Sequence, residues 1–316
     1  MTRCDDGHKS FTFKHVIDWI EVRVTLGGPT QPKHVRDRIE RQLPHWGRPP
    51  YIDPETEARS GSSDTIKFRV QNPSTPTTFM QEVQAVARPK DKVALTEQDI
   101  QITGIELALD VYSPANDCEA LINMAAHMHR HHARPPAATS RITKHRTSEQ
   151  AENPTNVRLA IAAGLTLNAG EPALDARPGL PARPGSDYCA RYYFKTTDTK
   201  NGVAYALLPT EQHRARMEVT LKGTVLPFTT IAGWRCFRFE TLAPYFAMRR
   251  VTPLSAPAEL SVLADLLSNR ITQYGAPVCP EKIRAHRKTT KGRTKADSAW
   301  NERMHVRLRA LSRSQK

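Results

Sequence analysis

The sequence lacks any long hydrophobic run, and this absence excludes a protein that spans a membrane with helices. No stretch of the 316 residues approaches the roughly 20 apolar residues that a spanning helix needs. The first residues, MTRCDDGHKSFTF, also lack the apolar core of a secretory signal, so we expect a cytoplasmic location. The chain is 39% hydrophobic with a mean hydropathy of −0.55, which is typical of a protein with a modest core.

Cysteine is scarce and shows no pattern. The five cysteines include no CxxC pair and no Cys–His spacing of the kind that holds zinc. An odd number without a pattern favours reduced thiols over disulfide bonds. They are Cys4, Cys118, Cys189, Cys236 and Cys279.

Several motifs of large enzyme classes are also missing. The sequence has no P-loop, no glycine fingerprint for a dinucleotide and no Ser-His-Asp signature. It has no internal repeat either. The classes that these motifs define therefore have no support in the sequence.

Positive charge is what the sequence has in excess. The net charge is +14, which predicts a polyanionic partner, most commonly DNA or RNA. Residues 281–316 hold twelve Lys and Arg against three acids, so this segment contributes +9. We predict a basic, partly disordered DNA-binding tail; the alternative is a solvated tail with no defined partner. The tail residues predicted to contact DNA are Arg287, Lys288, Lys291, Arg293 and Lys295.

The second half of this tail has a helical pattern. Trp300, Met304 and Leu308 are spaced by four within residues 296–309, which predicts an amphipathic helix. Such a helix would either dock weakly on the body of the protein or lie against DNA.

The rest of the chain alternates between strand and helix patterns. We predict an α+β fold with a mixed, mainly antiparallel sheet, flanking helices and the basic tail, in a domain over residues 1–280. An irregular Pro-, Gly- and Lys/Arg-rich insertion is predicted around 133–185. Strands are predicted at 11–26, 64–70, 102–112, 157–167, 187–196 and 214–221. Helices are predicted at 32–43, 78–88, 117–132, 241–249 and 257–274.

Carboxylates stand out on two of these strands. Glu106 and Asp110 share one face of strand 102–112, but their backbones lie about 13 Å apart. A single ion therefore needs a ligand from a neighbouring strand, and Glu218 is the candidate. Carboxylate oxygens suit Mg²⁺ or Mn²⁺. The alternative is two half-buried strands that show their charges to water.

A histidine run at residues 127–132 suggests a different metal site. Paired histidines bind the metal of HUH nucleases, but there the pair lies on a strand. Here the flanking residues favour a helix that ends before Pro135. Cations at a helix C-terminus are the simpler interpretation.

Four patches of the sequence stand out together, in order along the chain. They are Ile17-Asp18-Trp19-Ile20, the strand Gly104 to Asp110, Arg191-x-Tyr193-x-Lys195, and Arg216-Met217-Glu218-Val219. They resemble the replication initiation factor (Rep_trans) family, the rolling-circle replication initiators of small plasmids and filamentous phages, over about residues 11–250. Glu106 stands where the family often has Asp. The region 164–185 has no tyrosine where the family often has one.

The resemblance implies an enzyme that nicks and rejoins one DNA strand at a replication origin, in a phage, a plasmid or an integrated element. A tyrosine attacks the phosphodiester, with help from Mg²⁺ or Mn²⁺. The implied partners are partly single-stranded origin DNA, host helicase and polymerase, and a second copy of the chain in a homodimer. The alternative is a non-catalytic DNA- or RNA-binding protein with the same fold.

The resemblance also selects the site residues. Tyr193 is the leading nucleophile, because it shares a strand face with Arg191 and Lys195, which would neutralise phosphate charge. Tyr192 points to the other face, and Tyr188 lies at the start of the strand; both stay open as alternatives. The implied metal ligands are Glu106, Asp110 and Glu218, and Arg216 is an implied DNA contact.

Overall fold

The structure is a computed structural model, and every structural statement below concerns the residues that it describes. These are residues 10–43, 52–54, 61–86, 95–133, 154–169, 187–200, 204–251 and 294–315. The predicted helix at 257–274 lies outside them, as do Arg287, Lys288, Lys291 and Arg293.

Strands and helices follow one another in a mixed order. The strands are β1 (Thr12–Thr30), β2 (Asp53–Pro54), β3 (Ser63–Gln71), β4 (Ile100–Tyr112), β5 (Leu167–Ala169), β6 (Tyr188–Lys195), β7 (Thr197–Lys200), β8 (Ala204–Leu207), β9 (Arg214–Lys222), β10 (Arg249–Val251) and β11 (Thr294–Ala296). The helices are α1 (Pro32–Gln42), α2 (Pro76–Val86), α3 (Cys118–His131), α4 (Pro154–Ala162), α5 (Ile231–Cys236) and α6 (Ser298–Ser314). Among these helices, none is long and apolar enough to cross a membrane.

Seven strands form one sheet in the order β2-β3-β1-β4-β9-β6-β5. Every neighbouring pair in it is antiparallel. The strands β7 and β8 form a separate hairpin, and β10 pairs with β11. The predicted α+β class with a mainly antiparallel sheet is confirmed.

One face of the sheet is apolar and packs under the helices. Leu107 and Leu109 of β4 and Met217 of β9 have no exposure. Tyr192 of β6 contacts the ring of His129 in α3, with centroids 5.3 Å apart. This face supplies most of the hydrophobic core, because burial of apolar side chains is the main favourable term in folding.

A bulge in β1 decides which of its residues reach the other face. Ile17 pairs with Leu107 and Trp19 with Glu106, so Asp18 is one extra residue between two consecutive partners. An extra residue reverses the alternation of a strand. The apolar series therefore continues at Ile20 instead of at Trp19, and Asp18 and Trp19 both join the polar face.

Helix α6 packs on the body of the protein. Its N-terminus is capped by the Asp297 carboxylate, which accepts a hydrogen bond from the Trp300 backbone amide at 3.1 Å. Trp300, Met304 and Leu308 are buried, against the 3₁₀ helix Phe239–Phe246 and β1. The predicted amphipathic helix is confirmed, and of its two predicted positions it takes the docked one. The described half of the predicted tail, from Thr294 onward, thus belongs to the folded body.

The structure corrects the predicted strand at 157–167. Pro154–Ala162 is a helix, and only Leu167–Ala169 is a strand. Gly164 ends the helix with a φ of +80°. Its amide donates to Ile161 at 3.0 Å and the Leu165 amide to Ala160 at 2.9 Å, the two bonds of a Schellman cap. The alanines of this segment favour helix, so the glycine marks a helix end instead of a strand irregularity.

The helix predicted at 241–249 is also displaced. The structure has a 3₁₀ helix at Phe239–Phe246 that contains Pro244. Proline has no amide hydrogen to donate, which disfavours a regular α-helix here.

Candidate functional site

The polar face of β4, β9 and β6 carries carboxylates that are almost fully buried. The exposed fractions are 1% for Glu106, 2% for Asp110 and 3% for Glu218. Glu218 pairs with Ala108 of β4, so it lies on the same face between the two acids of that strand. The alternative in which these charges face water is therefore wrong.

Three carboxylates converge, and one of them comes from the bulge in β1. Asp18, Glu106 and Glu218 each offer an oxygen, and the three oxygens lie within 4.8 Å of one another. Asp18 lies in the first of the four patches that resemble replication initiators, but the sequence did not predict it as a metal ligand. The signal was present in the sequence, because the apolar series in β1 shifts phase between Ile17 and Ile20.

Asp110 lies outside this group of three and binds arginine instead. Arg216 donates two hydrogen bonds to it, at 2.6 Å and 2.7 Å, and Arg214 lies 3.2 Å away. The predicted set of ligands is thus divided: Glu106 and Glu218 converge, and Asp18 takes the third position.

Arg216 is a structural residue of this face. Only 4% of it is exposed, and it also donates to Asp18 at 2.7 Å and to Glu218 at 3.5 Å. The prediction that Arg216 contacts DNA needs correction, because its guanidinium is buried and bound to three carboxylates, including Asp110.

Arg191 bridges two of the converging carboxylates from the solvent side. Its Nη2 atom lies 2.7 Å from Glu106 and 2.9 Å from Glu218. Unlike Arg216, its side chain is 41% exposed. Arg191 is therefore the most exposed of the three arginines that bind these carboxylates, at 41% against 10% for Arg214 and 4% for Arg216.

The cluster favours a proton on Glu106. Burial raises the pKa of Glu106 to about 7, and the nearby Glu218 charge adds to this, whereas Arg191 opposes it. Two buried carboxylates side by side repel each other, so a proton or a cation between them is stabilising.

The three candidate tyrosines of β6 divide between the two faces. The Tyr193 hydroxyl donates to Glu218 Oε1 at 2.5 Å, and the side chain is half-buried. Tyr192 is fully buried on the helix face, where its hydroxyl donates to His132 Nδ1. Tyr188 is 2% exposed and lies against the ring of Tyr245. Of the three, Tyr193 alone has its hydroxyl at the carboxylates.

Burial raises the pKa of Tyr193, and the charge of Glu218 raises it further. An un-ionised phenol next to a carboxylate that accepts its hydrogen bond is the starting state for proton transfer. Lys195, two residues along the same face, lies 3.1 Å from Asp198 of β7. Lys195 is the third residue on this face of β6, after Tyr193 and Arg191, that the sequence predicts to be catalytic.

The histidine run lies in α3 and serves packing. The helix is capped by Asp117, which accepts from the Ala120 amide at 3.0 Å, and it ends at His131, with His132 as its C-cap. His131 Nδ1–H donates to the Arg249 carbonyl at 3.0 Å, and His132 Nε2–H to the Tyr245 carbonyl at 2.8 Å. The predicted helix is confirmed.

Comparison with known proteins gives weak likenesses only. No family model and no curated protein matches the chain. The structure is similar to a rolling circle replication initiator protein from Geobacillus stearothermophilus, at 12% identity and a TM-score of 0.29, over 68% of this chain and 76% of that one. It is also similar to a class II 3-hydroxy-3-methylglutaryl-CoA reductase from Streptococcus pneumoniae, at 13% identity and a TM-score of 0.19, over 67% and 53%. Scores at this level carry no evidence of function.

Proposed function

We propose that this chain nicks and rejoins one strand of DNA, with Tyr193 as the nucleophile. We propose that this reaction initiates rolling-circle replication of a phage, a plasmid or an integrated element. One observation carries the proposal: a tyrosine hydroxyl donates to one of three converging carboxylates, on the polar face of a sheet. The four sequence patches that resemble replication initiators contribute every member of this group.

The proposed reaction transfers a phosphoryl group to tyrosine. Glu218 takes the proton of the Tyr193 hydroxyl, whose oxygen bonds to phosphorus while the bond from phosphorus to O3′ breaks. The freed oxygen takes a proton, for which the Lys195 ammonium is the proposed donor, and becomes a 3′-hydroxyl. That end would prime a host polymerase, and the reverse reaction rejoins the strand.

A divalent cation fits the donor set. Asp18, Glu106 and Glu218 offer oxygen atoms only, which is the preference of Mg²⁺ and Mn²⁺. When bound, the ion supplies charge stabilisation at the phosphate under attack. Arg191 contacts two of these carboxylates, Glu106 and Glu218, and we propose that its partly exposed side chain turns towards the DNA phosphate, where a guanidinium binds well.

A second candidate function has one observation in its favour. The Arg191 guanidinium already bridges Glu106 and Glu218. A closed network of this kind also suits a non-catalytic DNA-binding protein that keeps the fold. Metal-dependent chemistry separates the two candidates.

The deciding experiment uses the full chain and single-stranded DNA from its own genetic neighbourhood. With Mn²⁺ or Mg²⁺ we expect a covalent protein–DNA adduct that survives denaturing electrophoresis, and peptide mass analysis should place it on Tyr193. Chelation of the metal should prevent the adduct. If no adduct forms on any strand of that DNA with either metal, the nicking proposal fails and the non-catalytic candidate is favoured.

A further inference from the structure

A second charged cluster occupies the same face of the sheet, next to the carboxylates. Its centre is Glu21 of β1, which is 4% exposed. Lys67 lies 3.1 Å, Arg69 2.8 Å and Lys222 3.0 Å from its carboxylate. We name these four residues the Glu21 cluster. Three cations around one carboxylate leave an excess of two positive charges.

The side chains of the three cations are partly exposed. The exposed fractions are 30% for Lys67, 49% for Arg69 and 30% for Lys222. A single buried carboxylate therefore gathers three cations whose other sides face solvent. This is the arrangement expected of a site for a second anion, because one acid leaves the cations incompletely neutralised.

The indole ring of Trp19 packs against two cations of the cluster. The Arg69 guanidinium lies 4.5 Å and the Lys222 ammonium 5.6 Å from the centre of the Trp19 ring. Trp19 is 4% exposed, and Gly104 leaves room for both neighbours. A Cβ at Gly104 would lie 3.2 Å from the Trp19 ring and 3.3 Å from the Lys222 side chain. The cations are thus held in place by packing as well as by charge.

The electrostatics point the same way. Burial favours a neutral Glu21, yet a hydrogen bond from Arg69 and the charge of Lys222 hold the pKa of Glu21 at about 2. The pKa of Lys222 is lowered by burial and then by the charge of Arg69. A bound anion would relieve this repulsion between cations.

The register places the cluster in line with the nucleophile. Arg69 pairs with Glu21, Glu21 with Gly104, and Gly104 with Lys222, so the cluster crosses four strands in one row. Tyr193 pairs with Arg216, six residues before Lys222 on β9. At about 3.3 Å per residue the two rows lie about 20 Å apart on one face. The carboxylate group lies between them.

We infer that the Glu21 cluster binds backbone phosphates of the single DNA strand whose scissile phosphate reaches Tyr193. The inference rests on the proposed function for the identity of that strand. Phosphate contacts give affinity and position without reading sequence. A basic track on a sheet face is how many proteins hold single-stranded DNA.

The test measures binding in a protein that does not react. Full-length Tyr193→Phe protein is titrated with single-stranded oligonucleotides at several salt concentrations. The same titrations are made with protein that also carries Lys67→Gln and Lys222→Gln, the double variant. Removal of two phosphate-binding cations should reduce the slope of log affinity against log salt by about 1.4, at ~0.7 for each phosphate on a single strand. The matched control, Arg41→Gln with Arg158→Gln, removes two cations from helices α1 and α4 and should leave the slope unchanged.

Oligonucleotides lengthened by one nucleotide at a time, at either the 5′ or the 3′ end, locate the binding position. We expect a step in affinity on one side only, once the strand reaches the cluster, and its disappearance in the double variant. If the double variant does not fold, Lys67→Gln alone keeps Arg69 and Lys222 on Glu21 and should lower the slope by about 0.7.

Two outcomes would overturn the inference. One is a slope that falls no further in the double variant than in the control. The other is an equal loss of affinity for duplex DNA with no length-dependent step, which describes a general polyanion surface. Binding and adduct formation fail separately, so a protein that shows the step but forms no adduct keeps this site and loses the nicking proposal.

Discussion

The two faces of the central sheet are formed by the same strands but are stabilised by different interactions. Tyr192 and Tyr193 are consecutive, yet one hydroxyl meets a buried histidine under a helix and the other a buried carboxylate. The helix face is held by apolar burial. The polar face is held by ion pairs among at least four acids and three arginines, including Asp110 and Arg216.

The two faces therefore differ in how they respond to a substitution or to a change of solution conditions. Loss of a methylene on the helix face costs packing energy whatever the solvent contains. On the polar face, the balance of charge shifts with protonation, metal and anions, since removing one partner leaves the other charge buried. Chemistry that depends on cations therefore belongs on the polar face.

The largest expected effect comes from removing the Tyr193 and Tyr192 hydroxyls in turn. Tyr193→Phe should abolish the covalent adduct, while Tyr192→Phe should keep it and lose about 1 kcal/mol of stability from one hydrogen bond. Denaturing gels and urea unfolding measure the two effects. An adduct that persists in Tyr193→Phe and disappears in Tyr192→Phe would reverse the roles of the faces.

The next effect compares two aspartates on the polar face. Asp110→Asn leaves the buried Arg216 short of its main partner, and we expect a loss of about 3–5 kcal/mol in unfolding free energy. Asp18→Asn should cost less stability, because this side chain is 19% exposed. It should instead weaken Mn²⁺ binding. Urea titration and Mn²⁺ binding by electron paramagnetic resonance give the two readouts, and equal metal affinity in Asp18→Asn and the unaltered protein would remove Asp18 from the ligand set.

The buried histidines of the helix face and Glu106 of the polar face should also respond to pH in opposite directions. On the helix face, burial lowers the pKa of His15 to about 3 and of His132 to about 4. The unfolded chain takes up these protons first, near pH 6.5, so stability falls as pH drops from about 6.5 towards those values. Each group contributes up to ~1.4 kcal/mol per pH unit.

Glu106 on the polar face has the reverse sign. Its raised pKa, about 7, means that the unfolded chain loses this proton first. Stability from Glu106 is complete below about pH 4.5 and is lost as pH rises to about 7 in protein without metal. Glu106→Gln should remove this loss of stability, and His132→Gln should reduce the opposite slope, to which His15 also contributes. Unfolding curves from pH 4 to 8 in which Glu106→Gln leaves the pH dependence between 4.5 and 7 unchanged would contradict the assignment.

Much of this arrangement was predictable from alternation. The parity of β4, β6 and β9 placed Glu106, Glu218 and Tyr193 on one face, since side chains alternate whatever the tertiary context. Burial of those charges was not predictable, because it depends on arginines that arrive from other strands. Asp18 was not predicted as a ligand, because the bulge in β1 interrupts the alternation of side chains from which the positions of the other residues were predicted.

The helix at Pro154–Ala162 shows a second limit. Its residues VRLAIA read equally well as a buried strand or a buried helix, because a short apolar run has no decisive period. The side chains that settle the choice, Val157 and Ile161, are buried one helical turn apart. That spacing becomes informative only once the packing partner, α3, is known.

The last DNA-binding prediction concerns four cations outside the described residues. Replacement of Arg287, Lys288, Lys291 and Arg293 by Gln should weaken binding to origin and random DNA alike. Removal of each phosphate-binding cation should reduce the salt slope on duplex DNA by about 0.9. Titrations of both DNAs at several salt concentrations measure this. A loss of discrimination with an unchanged slope would mean that this segment reads sequence.

The packing of α6 on β1 brings together two segments that are synthesised far apart in time. Phe13, near the start of the first strand, meets Trp300 of the last helix edge-on, with ring centroids 5.1 Å apart. At roughly 5–20 residues per second, a ribosome needs about 15–60 s to travel between them. During that interval the apolar end of β1 has no permanent cover. Nascent chains stalled before α6 should therefore be cut readily by protease, and chains released after residue 314 should resist it.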